Sequence, residues 1–274
     1  MPPSKIINVH THMHKTQDIK ARVALWEQCG LVKVCVMVLG LEPNDHTFTN
    51  DEFVAVMREY KDLIVGFGRV DMGWDPDEAE DVDKLKEQGF HGLKCIRASY
   101  AYDNEIYHPI YERAEALGMP ILFHTGFLAI HENDGADGVS TDKMRAMRMD
   151  TLGRAFPDLR IMCGHIGMPL YEEGLSVITH FERIWGEYSG GGGQPAKATE
   201  LRRLLKPLPG VDMADPDQNL ALVWYKKLCF STDNPDPPRW LDLNERLLAE
   251  LEIPADLQER FYWQNATEWL GIKL

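Results

Sequence analysis

The chain has 274 residues, with 43 Asp and Glu against 29 Lys and Arg for a formal charge of −14. At 44% hydrophobic and 26% charged the composition is that of an ordinary globular protein, which excludes disorder as a description of the whole, and the acidic excess opposes binding to phosphate backbones, where Lys and Arg must displace counterions. No run approaches the roughly 18 apolar residues of a membrane span, and MPPSKIINVH has no apolar leader or cleavage site, so a cytoplasmic protein without nucleic-acid or membrane partners is expected.

Short apolar or β-branched runs alternate with amphipathic stretches from one end to the other, the sequence form of repeated βα units. Strands are predicted at Lys5–Val9, Val32–Val38, Leu63–Phe67, Phe90–Cys95, Ile121–His124, Leu159–Gly164, Trp185–Tyr188 and Leu228–Thr232. Helices are expected near 18–29, 50–60, 77–88, 108–118, 141–156, 171–183, 199–205, 239–250 and 256–270, with Gly30, Gly89 and Gly118 placed to end three of them. Eight strands in this length predict an α/β fold, a (β/α)8 TIM barrel in one domain over 1–274, because such a barrel takes roughly 250 residues. A doubly wound sheet is the alternative, but its Gly-rich first turn is missing after the first strand. The five cysteines are odd in number for a disulfide framework; Cys35, Cys95, Cys163 and Cys229 lie in strand-like runs and read as reduced core residues.

The first strand runs into His10-Thr11-His12. Strict alternation puts Ile6, Asn8, His10 and His12 on one face and Ile7, Val9 and Thr11 on the other, so two imidazoles leave one strand end together, a spacing that suits a metal. His14 falls beyond the strand and reads as a loop residue. In the fourth strand Lys94 stands among Gly92, Leu93, Cys95 and Ile96, too apolar a setting for a solvated lysine. It can hold a substrate carboxylate or carbonyl, bridge two metals as a carbamate, or snorkel to the rim, and the first reading is preferred; Arg97 could add an anion contact. The fifth, sixth and eighth strands end in His124, His165 and Asp233, each followed by a turn. In a parallel barrel all these ends share one rim, so His10, His12, His124, His165 and Asp233 would meet there. Between the seventh and eighth strands, 189–217 is an irregular stretch rich in Gly and Pro that suits a lid, an oligomer contact or a surface insertion. His108 and His131 read first as solvent-facing.

These segments resemble the amidohydrolase superfamily, in the amidohydrolase-related or family 2 branch that includes aminocarboxymuconate-semialdehyde decarboxylase. The likeness runs from IINVHTH through GFHGLKCI, PILFHTG, IMCGHIGMP and FSTDNP to YWQNATEWLGI, nearly the whole chain. It departs at Asn8, where the family usually has Asp, and at Cys95-Ile96, where many members have Leu-His. The resemblance implies one divalent metal per chain, zinc before manganese or iron, held by His10, His12, His124 and Asp233. His165 would be catalytic, or a second-metal ligand if Lys94 is carbamylated, and a homodimer is common in that family.

Three functions follow from such a site. The first is a hydrolase that cleaves a C–O or C–N bond of a lactone, ester or amide, with Asp233 as general base, His165 steadying the oxyanion and Lys94, with Arg97, holding the small-molecule substrate. The second is non-oxidative decarboxylation of an unsaturated or aromatic acid. The third is a barrel that only binds a metal or a ligand.

Overall fold

The computed structural model describes residues 3–190, 202–205, 210, 212–215, 217–234 and 237–274. Seven strands pair in parallel in chain order: β1 (Ile6–Thr11), β2 (Leu31–Met37), β3 (Ile64–Arg69), β4 (Gly92–Cys95), β5 (Ile121–His124), β6 (Ile161–Gly164) and β7 (Ile184–Gly186). Right-handed βα crossovers place the connecting helices on one face of such a sheet, and the sheet curls into a TIM-barrel-like form. The helices are α1 (Ile19–Gln28), α2 (Asn50–Glu59), α3 (Ala79–Gln88), α4 (His108–Ala116), α5 (Arg148–Ala155), α6 (Tyr171–His180), α7 (Leu220–Trp224), α8 (Pro237–Glu250), α9 (Ala255–Glu259) and α10 (Asn265–Leu270). Local chemistry sets their ends. Asp18 caps α1 by accepting from the Ala21 N–H at 3.0 Å, Thr49 and Glu52 form a reciprocal capping box on α2, and Gly89 ends α3 at φ 97°.

Three expected elements come out differently. The run Leu228–Thr232 forms no continuous ladder; isolated parallel bridges join Leu228 to Gly186 and Asp233 to Thr11. The Cys229 N–H donates to the Gly186 carbonyl at 2.9 Å and the Val9 N–H to the Phe230 carbonyl at 3.0 Å, so the segment is tied to β7 on one side and β1 on the other. The Phe230 N–H instead turns to the Phe261 carbonyl at 2.9 Å, outside the sheet, and this interrupts the ladder. The helix expected over 141–156 splits into a 3-10 turn, Thr141–Met144, and α5, with Arg145 extended between them. The one expected over 256–270 contains a π turn at Arg260–Gln264 between α9 and α10. Much of the stretch 189–217, with part of the helix expected near 199–205, lies outside the described residues; 202–205 are helical.

The sheet has two apolar faces. One packs against the helices, through residues such as Val34, Ile64, Leu93, Phe123 and Ile161 from the strands and Trp26, Phe53, Val82 and Ile178 from the helices. The opposite, concave face carries Ile7, Val9, Cys35, Met37, Phe67, Leu122, Met162, Trp185 and Cys229, closed by Ala266, Trp269 and Leu270 of α10. Cys35, Cys95, Cys163 and Cys229 are buried and reduced, small apolar residues on one face or the other.

This division corrects the alternation expected in the first strand. Ile7 and Val9 belong to the concave face and Ile6 to the outer one, so unbroken alternation would send His10 outward. The pairing of β1 with β2 slips between Asn8 and Thr11. Beyond the slip His10 lies on the concave side with Lys94 and Glu187, while Asn8 stays behind and donates to Thr232 Oγ1 at 2.8 Å. A bulge that re-aims one side chain is what the period-2 rule cannot foresee. Among the described residues no helix is long and apolar enough to cross a membrane.

Candidate metal centre

Following the concave face of each strand toward its C-terminal end leads to polar groups: Leu122 to His124, Gly92 to Lys94, Trp185 to Glu187, and Cys229 through Ser231 to Asp233. His10, Lys94 and Glu187 have no exposed surface, and His12, His124, His165 and Asp233 are buried as well. The ring centroids of His10 lie 5.0 Å from those of His12 and His165, and the rings of His124 and His165 stand 4.8 Å apart. Four imidazoles therefore share one small volume.

The ring nitrogens divide into tethered and converging atoms. His12 Nδ1 lies 3.0 Å from the Met37 carbonyl, which makes that nitrogen the donor and leaves the Nε2 lone pair 3.1 Å from Asp233 Oδ1. His10 Nδ1 faces Glu187 Oε1 at 2.8 Å, and its Nε2 lies 3.9 Å from Asp233 Oδ1 and 3.2 Å from Lys94 Nζ. His124 uses Nε2 on the Phe127 carbonyl at 3.2 Å, so its lone pair is on Nδ1. His165 Nδ1 lies 2.6 Å from the Ser189 carbonyl. Among the described residues, His10, His12 and Asp233 offer three ligand atoms within 4.8 Å of one another, and His10, His165 and Glu187 form a second such group.

Electrostatics puts these groups in the protonation states that bind metal. Burial, aided by the Lys94 cation and opposed by Glu187, pushes His10 down to about 3, so the ring is neutral. His124 is held well below the usual imidazole range by burial and by the neighbouring His165 and Lys94. Burial pushes the Asp233 carboxyl up, but the close contact of its Oδ1 with His12 Nε2 and the surrounding His165 and His10 rings outweigh it and hold the group well below the carboxylate range. Burial draws Lys94 down to about 8, against the pull of Asp233 and Glu187. The donor set fits a divalent ion: two imidazole nitrogens and a carboxylate oxygen converge, and the Lys94 ammonium already stands against one of those nitrogens.

Strain marks the same rim. Arg97, His165, Ile166 and Asp233 follow strand ends with φ of 58°, 61°, 39° and 55°. For β-branched Ile166 that is a conformation found only where surroundings impose it. Other candidates from the sequence are engaged differently. The Arg97 guanidinium is engaged by Asp134 and the Ala129 carbonyl in the loop after β5. His14 bridges to Thr47, His131 is exposed, and the half-buried His108 ring packs edge-on against Phe156 at 5.1 Å.

Residues 36–272 match the family model described as amidohydrolase. The chain belongs to the amidohydrolase family, in its family 2 branch. No curated protein matches it by sequence. In structure this amidohydrolase is similar to a probable 2-pyrone-4,6-dicarboxylic acid hydrolase from Acinetobacter baumannii with citric acid bound, at 14% identity and TM-score 0.65, covering 98% of this chain and 100% of that one. It is also similar to 5-carboxyvanillate decarboxylase from Sphingomonas paucimobilis, at 13% identity and TM-score 0.62, covering 98% and 99%. A third likeness is to the Novosphingobium aromaticivorans 5-carboxyvanillate decarboxylase with bound manganese, at 16% identity and TM-score 0.59, covering 94% and 82%. At these identities the likeness is one of fold.

One residue of this amidohydrolase escapes the sequence reading altogether: Glu187, in Trp-Gly-Glu-Tyr-Ser after β7. It is buried against His10, His165, Ser189 and Ser231. The signal was available, since alternation places Glu187 and Ser189 on the face of Trp185, but one carboxylate among 43 acidic residues in an apolar-looking strand does not stand out.

Proposed function

We propose that this family member is a metal-dependent hydrolase that cleaves a C–O or C–N bond in a small lactone, ester or amide. The single observation that carries the reading is that His10, His12 and Asp233 bring one ligand atom each within 4.8 Å of one another at one end of the strands, beside the buried Lys94. On this reading residues 1–274 form one (β/α)8 barrel with 228–232 as its eighth strand, and His10, His12, His124 and Asp233 would hold one divalent ion, zinc first and manganese or iron next. When bound, such an ion would supply Lewis acidity, favouring ionisation of the attacking water and polarisation of the scissile carbonyl. Asp233 takes a proton from the attacking water and returns it to the departing oxygen or nitrogen, His165 steadies the oxyanion, and Lys94 holds an anionic or carbonyl end of the substrate. Burial of all these groups excludes bulk water and strengthens each interaction.

The second reading keeps the residues and changes the reaction to non-oxidative decarboxylation; the likeness to two 5-carboxyvanillate decarboxylases over 98% and 94% of this chain supports it. One experiment separates the two: metal analysis of the purified protein, then a metal-replete screen of lactones, esters, amides and carboxylated aromatics. Hydrolysis products with one water consumed per turnover are expected. Release of CO2 without net water uptake would overturn the hydrolase, and a folded protein that binds no divalent ion would overturn both.

A further inference from the structure

Glu187 has a carboxylate with no exposed surface, and its partners are donors. Oε1 accepts the backbone N–H of His165 at 2.8 Å and faces His10 Nδ1 at 2.8 Å, with His165 Nδ1 at 3.4 Å. Oε2 accepts the Ser189 N–H at 2.6 Å and the hydroxyls of Ser189 and Ser231 at 2.5 Å each. Such an arrangement suits an ionised carboxylate, which can only accept. It follows that His10 carries its proton on Nδ1 and keeps Nε2 as a lone pair, aimed toward the side where Asp233 and His12 stand.

We infer that Glu187 is a positioning residue that fixes the tautomer and direction of His10 and, through the main chain of His165, holds the left-handed turn that aims the second ring. The inference rests on the proposed metal-dependent function and goes beyond it by assigning the seventh strand a part in building the site. A carboxylate behind a ligand histidine sets the ring's orientation and raises its basicity, and losing one costs about 10–100-fold in metal affinity. The competing assignment makes Glu187, His10 and His165 ligands of an ion of their own. Its spacing is against it: two atoms bound tetrahedrally at roughly 2.0–2.2 Å from one ion stand about 3.3–3.6 Å apart, whereas His10 Nδ1 and Glu187 Oε1 are 2.8 Å apart, a hydrogen bond. Ser189 and Ser231 meanwhile fill the other oxygen.

The test uses the full chain stripped of metal and titrated with Zn²⁺ against a chelating indicator, as wild type, Glu187→Gln and Ser231→Ala. Glu187→Gln is expected to bind one Zn²⁺ about 10–100-fold more weakly; Ser231→Ala, which leaves the bond to His10 in place, is expected to stay within about threefold of wild type. Nitrogen-15 spectra of the metal-free wild type are expected to show His10 as the Nδ1–H tautomer, a signature that a merely structural role would leave undetermined. A folded Glu187→Gln with wild-type Zn²⁺ affinity overturns the inference. So does a wild type that binds two ions where Glu187→Gln binds one. Should Glu187→Gln fail to fold, the tautomer decides: an Nε2–H His10 in the wild type overturns it. If wild type binds no Zn²⁺ at all, the proposed function falls, while the tautomer still reports on Glu187.

Discussion

A methyl group at Gly190 should damage the site more than the backbone alone can explain. Gly190 follows Ser189 and holds φ 80°. A Cβ there would stand 2.6 Å from Asp233 Oδ2, 2.7 Å from His165 Cε1 and 2.8 Å from His165 Nδ1. Non-bonded carbons rest at about 3.5–4.0 Å, so Asp233 and His165 must each give way by roughly 1 Å. The left-handed backbone costs an alanine about 1–2 kcal/mol and the crowding about 1–3 kcal/mol more, together about 2–5 kcal/mol. At about 2–4 °C per kcal/mol for a chain of this size, that is a readily measured fall in Tm. A displacement of roughly 1 Å among reacting groups costs on the order of 100-fold in rate. Gly89→Ala supplies the control: φ is 97° and nothing lies within 4 Å of its Cβ, so only the backbone cost of about 1–2 kcal/mol applies. The assay is calorimetric unfolding of both variants in metal-free and Zn²⁺-loaded form, with Zn²⁺ affinity measured for Gly190→Ala. Equal destabilisation of the two, with wild-type Zn²⁺ affinity in Gly190→Ala, would refute the reasoning.

The other predictions concern the donors, the loop and the core. Asp233→Asn should fold and lose more than about 100-fold in turnover on any substrate found by the screen, since it removes both the proposed ligand oxygen and the proposed base; full activity would remove Asp233 from that role. Dialysis against a chelator should lower Tm, and Zn²⁺ at about 100 times its Kd should restore about 2.7 kcal/mol; a Tm indifferent to both would argue against a bound ion. Arg97→Ala should leave Zn²⁺ affinity unchanged and cost only about 1 kcal/mol by urea titration, because its partner Asp134 is partly solvent-exposed. Trp269→Ala should cost about 3–5 kcal/mol, since that fully buried ring stacks on Phe67 at 5.0 Å. Trp269→Phe should cost much less, because among the described residues the Trp269 Nε1 has no hydrogen-bond partner to lose.

What could be read from the sequence is what local pattern controls. Apolar runs and helix stops located all seven strands, and β5 has the ends expected of it, Ile121 and His124. His10, His12, His124, His165 and Asp233 stood out because metal-ligand residue types recur at strand ends. What could not be read depends on contacts between distant segments. The slip in β1 is a matter of pairing with β2; the broken eighth strand depends on the Phe261 carbonyl, and Glu187 has meaning only once His10, Ser189 and Ser231 surround it. Arg97 looked available for a substrate because Asp134 lies 37 positions away, a partner no periodicity announces.

The left-handed backbone at His165, Ile166 and Asp233 bears on how this protein could be improved or worn down. Each such residue carries about 1–3 kcal/mol of conformational cost that glycine would relieve. A library screened for thermal resistance alone should therefore accumulate glycine at 165 and 233, gaining stability there while discarding the imidazole and carboxylate of the site. Robustness and chemistry pull these positions in opposite directions, so selection at the strand ends needs a metal-dependent readout from its first round.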